Sequence, residues 1–174
     1  MEDIFILRHG LAEELGENQA KTDFDRKLTE EGKDKINKLG LFFDKTEENI
    51  TLVLSSPYLR AKETAEIFTN SLDPKPELKI VEFLSPGSSS KEIAKGLVQF
   101  SSHKKVLIVG HIPDLELFLG KLISAERIKL KKGALAKVSL ENAIELSGEL
   151  VWLITPKLIR KFKLKEKQTT ANNN

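Results

Sequence analysis

Short apolar segments of strand length alternate along this chain with longer segments whose apolar residues recur at helical spacing. The segments of strand length are residues 3–8, 51–55, 78–83, 105–109, 134–140 and 150–154. Between the first five lie stretches with a helical pattern, which begin at or near Thr29, Pro57, Lys91 and Asp114. Strands that alternate with helices and are apolar throughout predict a mostly parallel sheet covered on both faces.

The last two predicted strands, residues 134–140 and 150–154, are joined by a short polar link. A parallel crossover needs about a dozen residues or more, so these strands are expected to be antiparallel neighbours. The predicted fold class is therefore α/β, a three-layer αβα sandwich whose sheet has about six strands, mostly parallel, with an antiparallel edge strand. A chain of 174 residues accommodates one such domain, assigned to residues 1–155, and residues 156–174 are predicted to be a basic, flexible tail.

The formal charge of +2 is distributed unevenly along the chain. Residues 156–174 contain six basic residues and one acid, so residues 1–155 carry a net charge of −3. An acidic domain gives no reason to expect a nucleic-acid partner.

The composition also bears on the cellular environment. The chain has no cysteine, which excludes disulfides and thiolate chemistry. No apolar run approaches the roughly 20 residues of a membrane span, and Met1-Glu2-Asp3 lacks the positive start of a signal peptide. We therefore expect a cytoplasmic protein with no membrane partner.

Residues that can bind phosphate follow three of the predicted strands. Arg8 and His9 end the first strand, Arg60 lies one turn into the helix after the second, and His111 follows the fourth. The carboxyl ends of parallel strands share one edge of a sheet, so these four side chains can converge without being close in sequence. Two guanidinium groups and two imidazoles, with helix N-termini beside them, would form an electropositive pocket for one phosphoryl group. An uncharged histidine there can act as a nucleophile near neutral pH.

Other polar residues of these segments have simpler explanations. Ser55 and Ser56 are expected to cap the following helix rather than to bind substrate. Residues 10–27 form a long polar loop, and Arg26 within it is expected to pair with Asp23, Asp25 or another neighbour. Three histidines without a histidine–carboxylate cluster at ligand spacing predict no metal site, and nothing calls for a cofactor.

Four motifs, in this order, resemble the histidine phosphatase superfamily with its phosphoglycerate mutase-like fold, and within it the small SixA-type phosphohistidine phosphatases. The motifs are Leu7-Arg8-His9-Gly10, residues 26–32 (RKLTEEG), residues 55–65 (SSPYLRAKETA) and residues 109–114 (VGHIPD), which run through most of residues 1–155. The resemblance implies that His9 attacks phosphorus and becomes phosphohistidine, while Arg8, Arg60 and His111 bind the phosphoryl oxygens. Water then releases phosphate. Because His9 must be neutral to attack, its other ring nitrogen should donate to a fixed acceptor, which the sequence does not identify.

The chain departs from the larger members of that superfamily at one point. Those members supply a carboxylate general acid after the third strand, in a Leu-x-Glu arrangement, whereas this chain has Leu84-Ser85-Pro86. Glu82 is close, and strand alternation decides whether it faces the pocket. The turn after Pro86 leaves no room for a helical cap, so a shallow site is expected. Both features favour phosphohistidine on a protein surface, because its imidazole leaves readily once it is protonated.

Three functions stay open at this point. The first is a metal-independent phosphatase that hydrolyses phosphohistidine in a protein substrate through a phosphohistidine enzyme intermediate. The second is a small-molecule phosphomonoesterase of the same superfamily, and the third is a non-catalytic module that binds phosphate for regulation. The sequence leaves the physiological substrate, the oligomeric state and the role of the basic tail undecided.

Overall fold

The computed structural model describes residues 1–17, 20–46, 48–142 and 147–161. The strands are β1 (Asp3–Arg8), β2 (Leu52–Ser55), β3 (Glu77–Ile80), β4 (Lys105–Gly110), β5 (Leu135–Asn142) and β6 (Ser147–Ile154). The helices are α1 (Glu30–Asp44), α2 (Leu59–Asn70), α3 (Ser90–Val98), α4 (Asp114–Leu122) and α5 (Pro156–Ile159). Two 3₁₀ turns cover Asp23–Asp25 and Glu82–Leu84.

The strands form one six-stranded sheet in the order β3-β2-β4-β1-β5-β6. β1, β2, β3 and β4 are parallel, whereas β5 is antiparallel to both β1 and β6. The predicted six-stranded, mostly parallel sheet and the antiparallel pairing of the last two strands are therefore confirmed. The antiparallel strand is β5, however, one position in from the edge, and the edge strand β6 runs in the same direction as β1. The sequence predicts the β5–β6 pairing, but the placement of β5 beside β1 depends on contacts between distant residues, such as Ile6 with Ala136.

Two clusters of buried side chains, one on each face of the sheet, form the core. Ile4 and Ile6 pack with α3 and α4 on one face, whereas Phe5 and Leu7 pack with α1 and α2 on the other. All four side chains are fully buried, which explains why the central strands are apolar throughout. The predicted three-layer αβα sandwich is confirmed.

Side-chain caps fix the first residues of two helices. Thr29 Oγ1 accepts the Gly32 N–H at 3.0 Å, which begins α1 as predicted. Ser89 Oγ accepts the Glu92 N–H at 3.2 Å, and the Glu92 carboxylate accepts the Ser89 N–H at 2.7 Å. This reciprocal pair begins α3.

Two segments differ from their predicted structure. The third strand ends at Ile80 rather than at residue 83, because the chain turns at Glu82–Leu84 and buries Leu84 in the core. The predicted tail starts with α5, which packs on α1 and buries Ile159, so the folded domain extends beyond residue 155. Residues 162–174 of that tail lie outside the described residues. Within the described ranges, no helix is both long and apolar enough to cross a membrane.

Candidate active site

Three adjacent parallel strands, β2, β4 and β1, end at one edge of the sheet. His9 follows β1, Ser56 follows β2 just before the helix that carries Arg60, and His111 follows β4. Because β4 lies between β1 and β2, His111 is placed between the other two segments. The ring centroids of His9 and His111 are 5.2 Å apart, and both residues are buried. The structure therefore brings together the two histidines that the sequence predicts to converge.

His9 is oriented by its own neighbour in the chain. Its Nδ1 lies 2.8 Å from the carbonyl oxygen of Gly10. A carbonyl only accepts, so this contact places the proton of the neutral ring on Nδ1 and leaves the lone pair on Nε2. The Gly10 N–H donates to Thr64 Oγ1 at 3.0 Å, and the Thr64 hydroxyl donates to the Arg60 carbonyl at 2.6 Å. The acceptor that the sequence left unidentified is thus Gly10, itself tied to α2.

His111 is oriented by Ser56. Its Nε2 lies 2.8 Å from Ser56 Oγ, and the same oxygen accepts the Tyr58 N–H at 3.3 Å. When the Ser56 hydroxyl donates its proton to Nε2, the proton of the neutral His111 ring lies on Nδ1. Nδ1 is buried and has no hydrogen-bond partner among the described residues. In this tautomer, His111 offers one buried N–H to an anion.

Arg60, in the first turn of α2, is buried and held in place by the long loop after β1. Its Nη1 donates to the Asp23 carbonyl at 2.6 Å, and its Nη2 donates to the Asp23 carboxylate at 2.8 Å. The guanidinium carbon lies 5.1 Å from the centroid of the Tyr58 ring. Arg60 Nε is buried without a partner in the described part of the chain. This atom is a second donor available to an anion.

Arg8, the last residue of β1, supplies a third donor. Its Nη1 donates to the Leu130 carbonyl at 2.9 Å, while its Nε is buried and unpartnered among the residues described. Burial lowers the pKa of Arg8, and the nearby Glu116 carboxylate opposes that shift. Leu130 belongs to the core on the α4 side of the sheet, whereas α2 packs on the opposite side. The two guanidinium groups are therefore contributed from the two faces of the sheet.

Both histidines are neutral at pH 7. Burial lowers the pKa of His9 to about 3. The interaction with the His111 ring and the positive charges of Arg60 and Arg8 add to the shift, and the hydrogen bond with the Gly10 carbonyl opposes it. Burial likewise lowers the pKa of His111 to about 3, with Arg60 and Arg8 adding and Asp23 opposing. A neutral imidazole can attack phosphorus, and the arginines beside it remain positive. The cluster therefore combines a neutral imidazole with donors for an anion.

The remaining predicted residues lie around this cluster. Arg26 pairs with Asp23 at 2.8 Å, as predicted. The carboxylate of Glu82 accepts the Ser85 hydroxyl at 3.3 Å. The prediction that Ser55 and Ser56 cap α2 is wrong, because the helix starts only at Leu59 and has no side-chain cap. No group of three or more histidine, aspartate or glutamate side chains in the described ranges could hold a metal ion.

Three residues that orient the cluster had no such role in the sequence prediction, namely Asp23, Ser56 and Thr64. Asp23 lies 37 positions before Arg60, in a loop whose path the hydrophobic pattern does not define. Ser56 and Thr64 lie within the motif of residues 55–65, at fixed distances from Pro57 and Arg60. The spacing of Thr64, one helical turn after Arg60, is a signal that indicates a contact between them.

Comparison with known proteins agrees with the family resemblance that the four sequence motifs indicate. The model of the histidine phosphatase superfamily (branch 1) matches residues 4–84. An uncharacterized protein of Picosynechococcus sp. (strain ATCC 27264 / PCC 7002 / PR-6) is 31% identical over 123 residues, which are 65% of this chain and 68% of that protein. The phosphohistidine phosphatase SixA of Escherichia coli (strain K12) is 26% identical over 156 residues, 88% of this chain and 93% of that protein.

Solved structures share the fold. A structure of the protein histidine phosphatase SixA complexed with tungstate matches with a TM-score of 0.81 at 24% identity, over 90% of this chain and 99% of that one. The alpha-ribazole phosphatase of Shigella flexneri matches with a TM-score of 0.66 at 16% identity, over 88% of this chain and 96% of that one. The chain therefore belongs to the histidine phosphatase superfamily, a membership that indicates phosphatase activity.

Proposed function

We propose that this protein hydrolyses phosphohistidine in a protein substrate, through a phosphohistidine intermediate formed on His9. The observation that carries the proposal is the state of His9. Its ring is buried and neutral, the Gly10 carbonyl fixes Nδ1, and Nε2 keeps its lone pair. A histidine with only a structural role would not need a neighbour such as Arg60, whose positive charge opposes any protonation of the ring.

In the first half-reaction, Nε2 of His9 attacks phosphorus as the bond between phosphorus and the substrate imidazole nitrogen breaks. The electron pair of that bond stays on the substrate nitrogen, which takes a proton from solvent. Nε of Arg8, Nε of Arg60 and the Nδ1–H of His111 supply donors for the phosphoryl oxygens. Such fixed donors lower the barrier most where negative charge is spread over the transferring group.

In the second half-reaction, water attacks the phosphorus of phosphorylated His9. The bond between phosphorus and Nε2 breaks, its electron pair returns to the ring, and the proton lost by the water is carried away on inorganic phosphate. The Gly10 carbonyl holds Nδ1–H throughout, so the ring regains the tautomer that it had at the start.

The acids near the site favour a leaving group that needs little help. Burial alone would raise the pKa of Asp23, but hydrogen bonds from Arg26 and Arg60 outweigh burial and lower it. This carboxylate is therefore ionised and has no proton to donate. Glu82 hydrogen-bonds to Ser85. An alkoxide leaves poorly without a general acid, whereas an imidazole leaves readily once it is protonated. Sequence similarity to the SixA phosphohistidine phosphatase supports the same substrate class.

A small-molecule phosphomonoesterase is the second candidate. It is favoured by one observation, the structural likeness to an alpha-ribazole phosphatase, which shares the fold at low identity. A non-catalytic phosphate-binding module is less well supported, since binding alone would not require a neutral histidine with a free Nε2.

The test compares phosphate release from three substrates: a phosphohistidine peptide, phosphoramidate and a sugar phosphate. We expect the two phosphoramidate-type substrates to react at least about 100-fold faster than the sugar phosphate. Only their nitrogen leaving groups depart without a general acid supplied by the protein. Activity should survive EDTA. His9→Ala should lower turnover by at least about 10⁴-fold, as expected when a nucleophile is removed.

Rapid quenching in base should trap a phosphoenzyme that is stable in base and labile in acid, with the phosphoryl group on His9. His103→Ala, the same change at a histidine that precedes β4 at the other end of the strand and contacts Thr51, is the matched control and should keep wild-type rates. Normal turnover in His9→Ala would overturn the mechanism. Faster hydrolysis of the sugar phosphate would favour the second candidate.

A further inference from the structure

Two basic segments lie at the same edge of the sheet as the histidines. β5 is antiparallel to β1, so the loop before it, residues 129–133, lies beside the end of β1. β6 runs in the same direction as β1, so α5, which follows it, reaches that edge too. The loop is bonded to the site itself, since the Gly133 N–H lies 3.1 Å from the carbonyl oxygens of both Arg8 and His9.

These two segments and α1 enclose a cleft of about 750 Å³. Arg8 and Gly10, which flank His9, line the cleft, and so does Ile112, which follows His111. The cleft therefore borders the candidate active site and shares Arg8 with it. Gly133 joins the two segments. Its φ is +70°, and a Cβ there would lie 3.0 Å from Pro156, so glycine allows the loop to pack closely on α5.

The cleft carries an excess of positive charge. Eight basic and three acidic residues line it. The acids are already engaged: Glu31 and Asp34 pair with lysines one turn along α1 at 2.6 Å, and the buried Glu116 accepts the Leu130 N–H at 2.8 Å. Five exposed basic residues of the cleft form no ion pair within the described part of the chain, namely Lys129, Lys131, Lys132, Lys157 and Arg160.

We propose that this cleft binds an acidic segment of the polypeptide that carries the phosphohistidine, an inference that rests on the proposed function. An extended chain advances about 3.3 Å per residue, so a segment next to the phosphorylated residue can enter the cleft while that residue meets His9. Its carboxylates complement the unpaired lysines. Its aliphatic side chains can pack on partly exposed apolar lining residues such as Leu11, Ile112 and Pro156.

The lining disfavours a nucleic-acid occupant. Proteins that bind single strands stack bases on aromatic side chains, and the described lining of this cleft contains none. A polypeptide with several acidic residues uses both the charge and the apolar lining, so it fits the cleft better.

The test uses two synthetic phosphohistidine peptides of equal length. One has glutamate on both sides of the phosphohistidine, and the other has glutamine at the same positions. At low salt we expect the wild-type protein to have at least about tenfold higher kcat/KM for the glutamate peptide, mainly through KM. This preference should shrink as salt screens the charges.

Two charge-reversal variants probe the two walls of the cleft separately, K131E/K132E in the loop and K157E/R160E on α5. Each should remove most of the preference for the glutamate peptide and leave the hydrolysis of phosphoramidate unchanged. K75E/K121E is the matched control, because both lysines are exposed, lie outside the cleft and give the same change in charge. It should keep the wild-type preference.

The outcomes separate the two proposals. If the protein hydrolyses phosphoramidate and also hydrolyses the two peptides at equal rates, the cleft inference is overturned and the proposed function stands. Without any hydrolysis the proposed function fails, and the cleft is then judged by binding of the fluorescently labelled, unphosphorylated glutamate peptide. The inference would also be overturned if a single-stranded oligonucleotide bound more tightly than the glutamate peptide and K131E/K132E abolished that binding.

Discussion

Charged side chains gather at both ends of the central strands, and the two groups differ in their partners. At one end the charges pair with one another, whereas at the other several buried donor atoms keep no partner among the described residues. At the amino end, Asp3 and Glu48 meet Lys105, and Lys137 of β5 reaches the same two carboxylates. At the carboxyl end, two arginines lie beside two buried histidines, and Arg8 Nε, Arg60 Nε and His111 Nδ1 have no partner among the described residues.

The same sheet therefore supports two kinds of charge cluster. Ion pairs at the amino end compensate the burial of the charged groups and contribute to folding. At the carboxyl end, burial and neighbouring positive charge hold both histidines neutral. A bound anion would compensate this positive charge. We infer that the amino end serves stability and the carboxyl end serves binding and chemistry, and each cluster can be tested by removing one of its charges.

Arg60→Met gives the largest expected effect. It removes the guanidinium and keeps an aliphatic side chain, so kcat/KM for phosphoramidate should fall by about 10³-fold through loss of a transition-state donor. The free energy of unfolding should change by less than about 1 kcal/mol, since the half-exposed Asp23 carboxylate can be hydrated and keeps Arg26. Steady-state kinetics and urea unfolding check both values. A stability loss with unchanged kinetics would erase the distinction between the two ends.

Lys137→Met should show the reverse pattern. Lys137 Nζ lies 3.2 Å from the Asp3 carboxylate and also pairs with Glu48, and the three side chains are largely buried. Its loss leaves two buried carboxylates to Lys105 alone, so the free energy of unfolding should fall by about 2 kcal/mol. The kcat/KM for phosphoramidate should stay within about twofold of wild type, because the substitution is remote from the groups that stabilise charge in the reaction. Unchanged stability in urea would show that the ion pairs contribute little.

The pH dependence of stability tests the carboxyl end of the strands through the burial of His9. His9 has a pKa of about 3 in the folded protein, below the value of about 6.5 expected for an unfolded chain. Between these values the unfolded state binds more protons, so the free energy of unfolding falls as the pH falls through this window. The fall from pH 7 to pH 5 should be about 2 kcal/mol smaller in His9→Gln than in wild type. Equal falls in urea-unfolding experiments would indicate that folding does not hold this ring neutral.

Much of the fold follows from local patterns. The central strands are recognised because both faces of the sheet are covered, which makes segments such as Phe5–Leu7 apolar without alternation. The caps at Thr29 and Ser89 act within three residues, so the sequence contains their whole signal. The end of β3 and the start of α5 depend instead on where Leu84 and Ile159 find space in the core, which no local pattern specifies.

The site divides in the same way. His9 and His111 are predictable because parallel strands end at a common edge, and the sequence shows where each strand ends. The Gly10 carbonyl that fixes His9 is a backbone group with no sequence signal, and Asp23 is joined to Arg60 only by tertiary contact. The cleft is likewise assembled from α1, α5 and the loop before β5, which are distant in sequence.

A crystal structure with bound vanadate would test the central claim most directly, since vanadate resembles the phosphoryl group during its transfer. We expect vanadium within bonding distance of His9 Nε2, with its oxygens accepting hydrogen bonds from Arg8, Arg60 and His111 Nδ1. Vanadate bound elsewhere, for example only at the lysines of the cleft, would contradict the assignment of the carboxyl end as the reactive site.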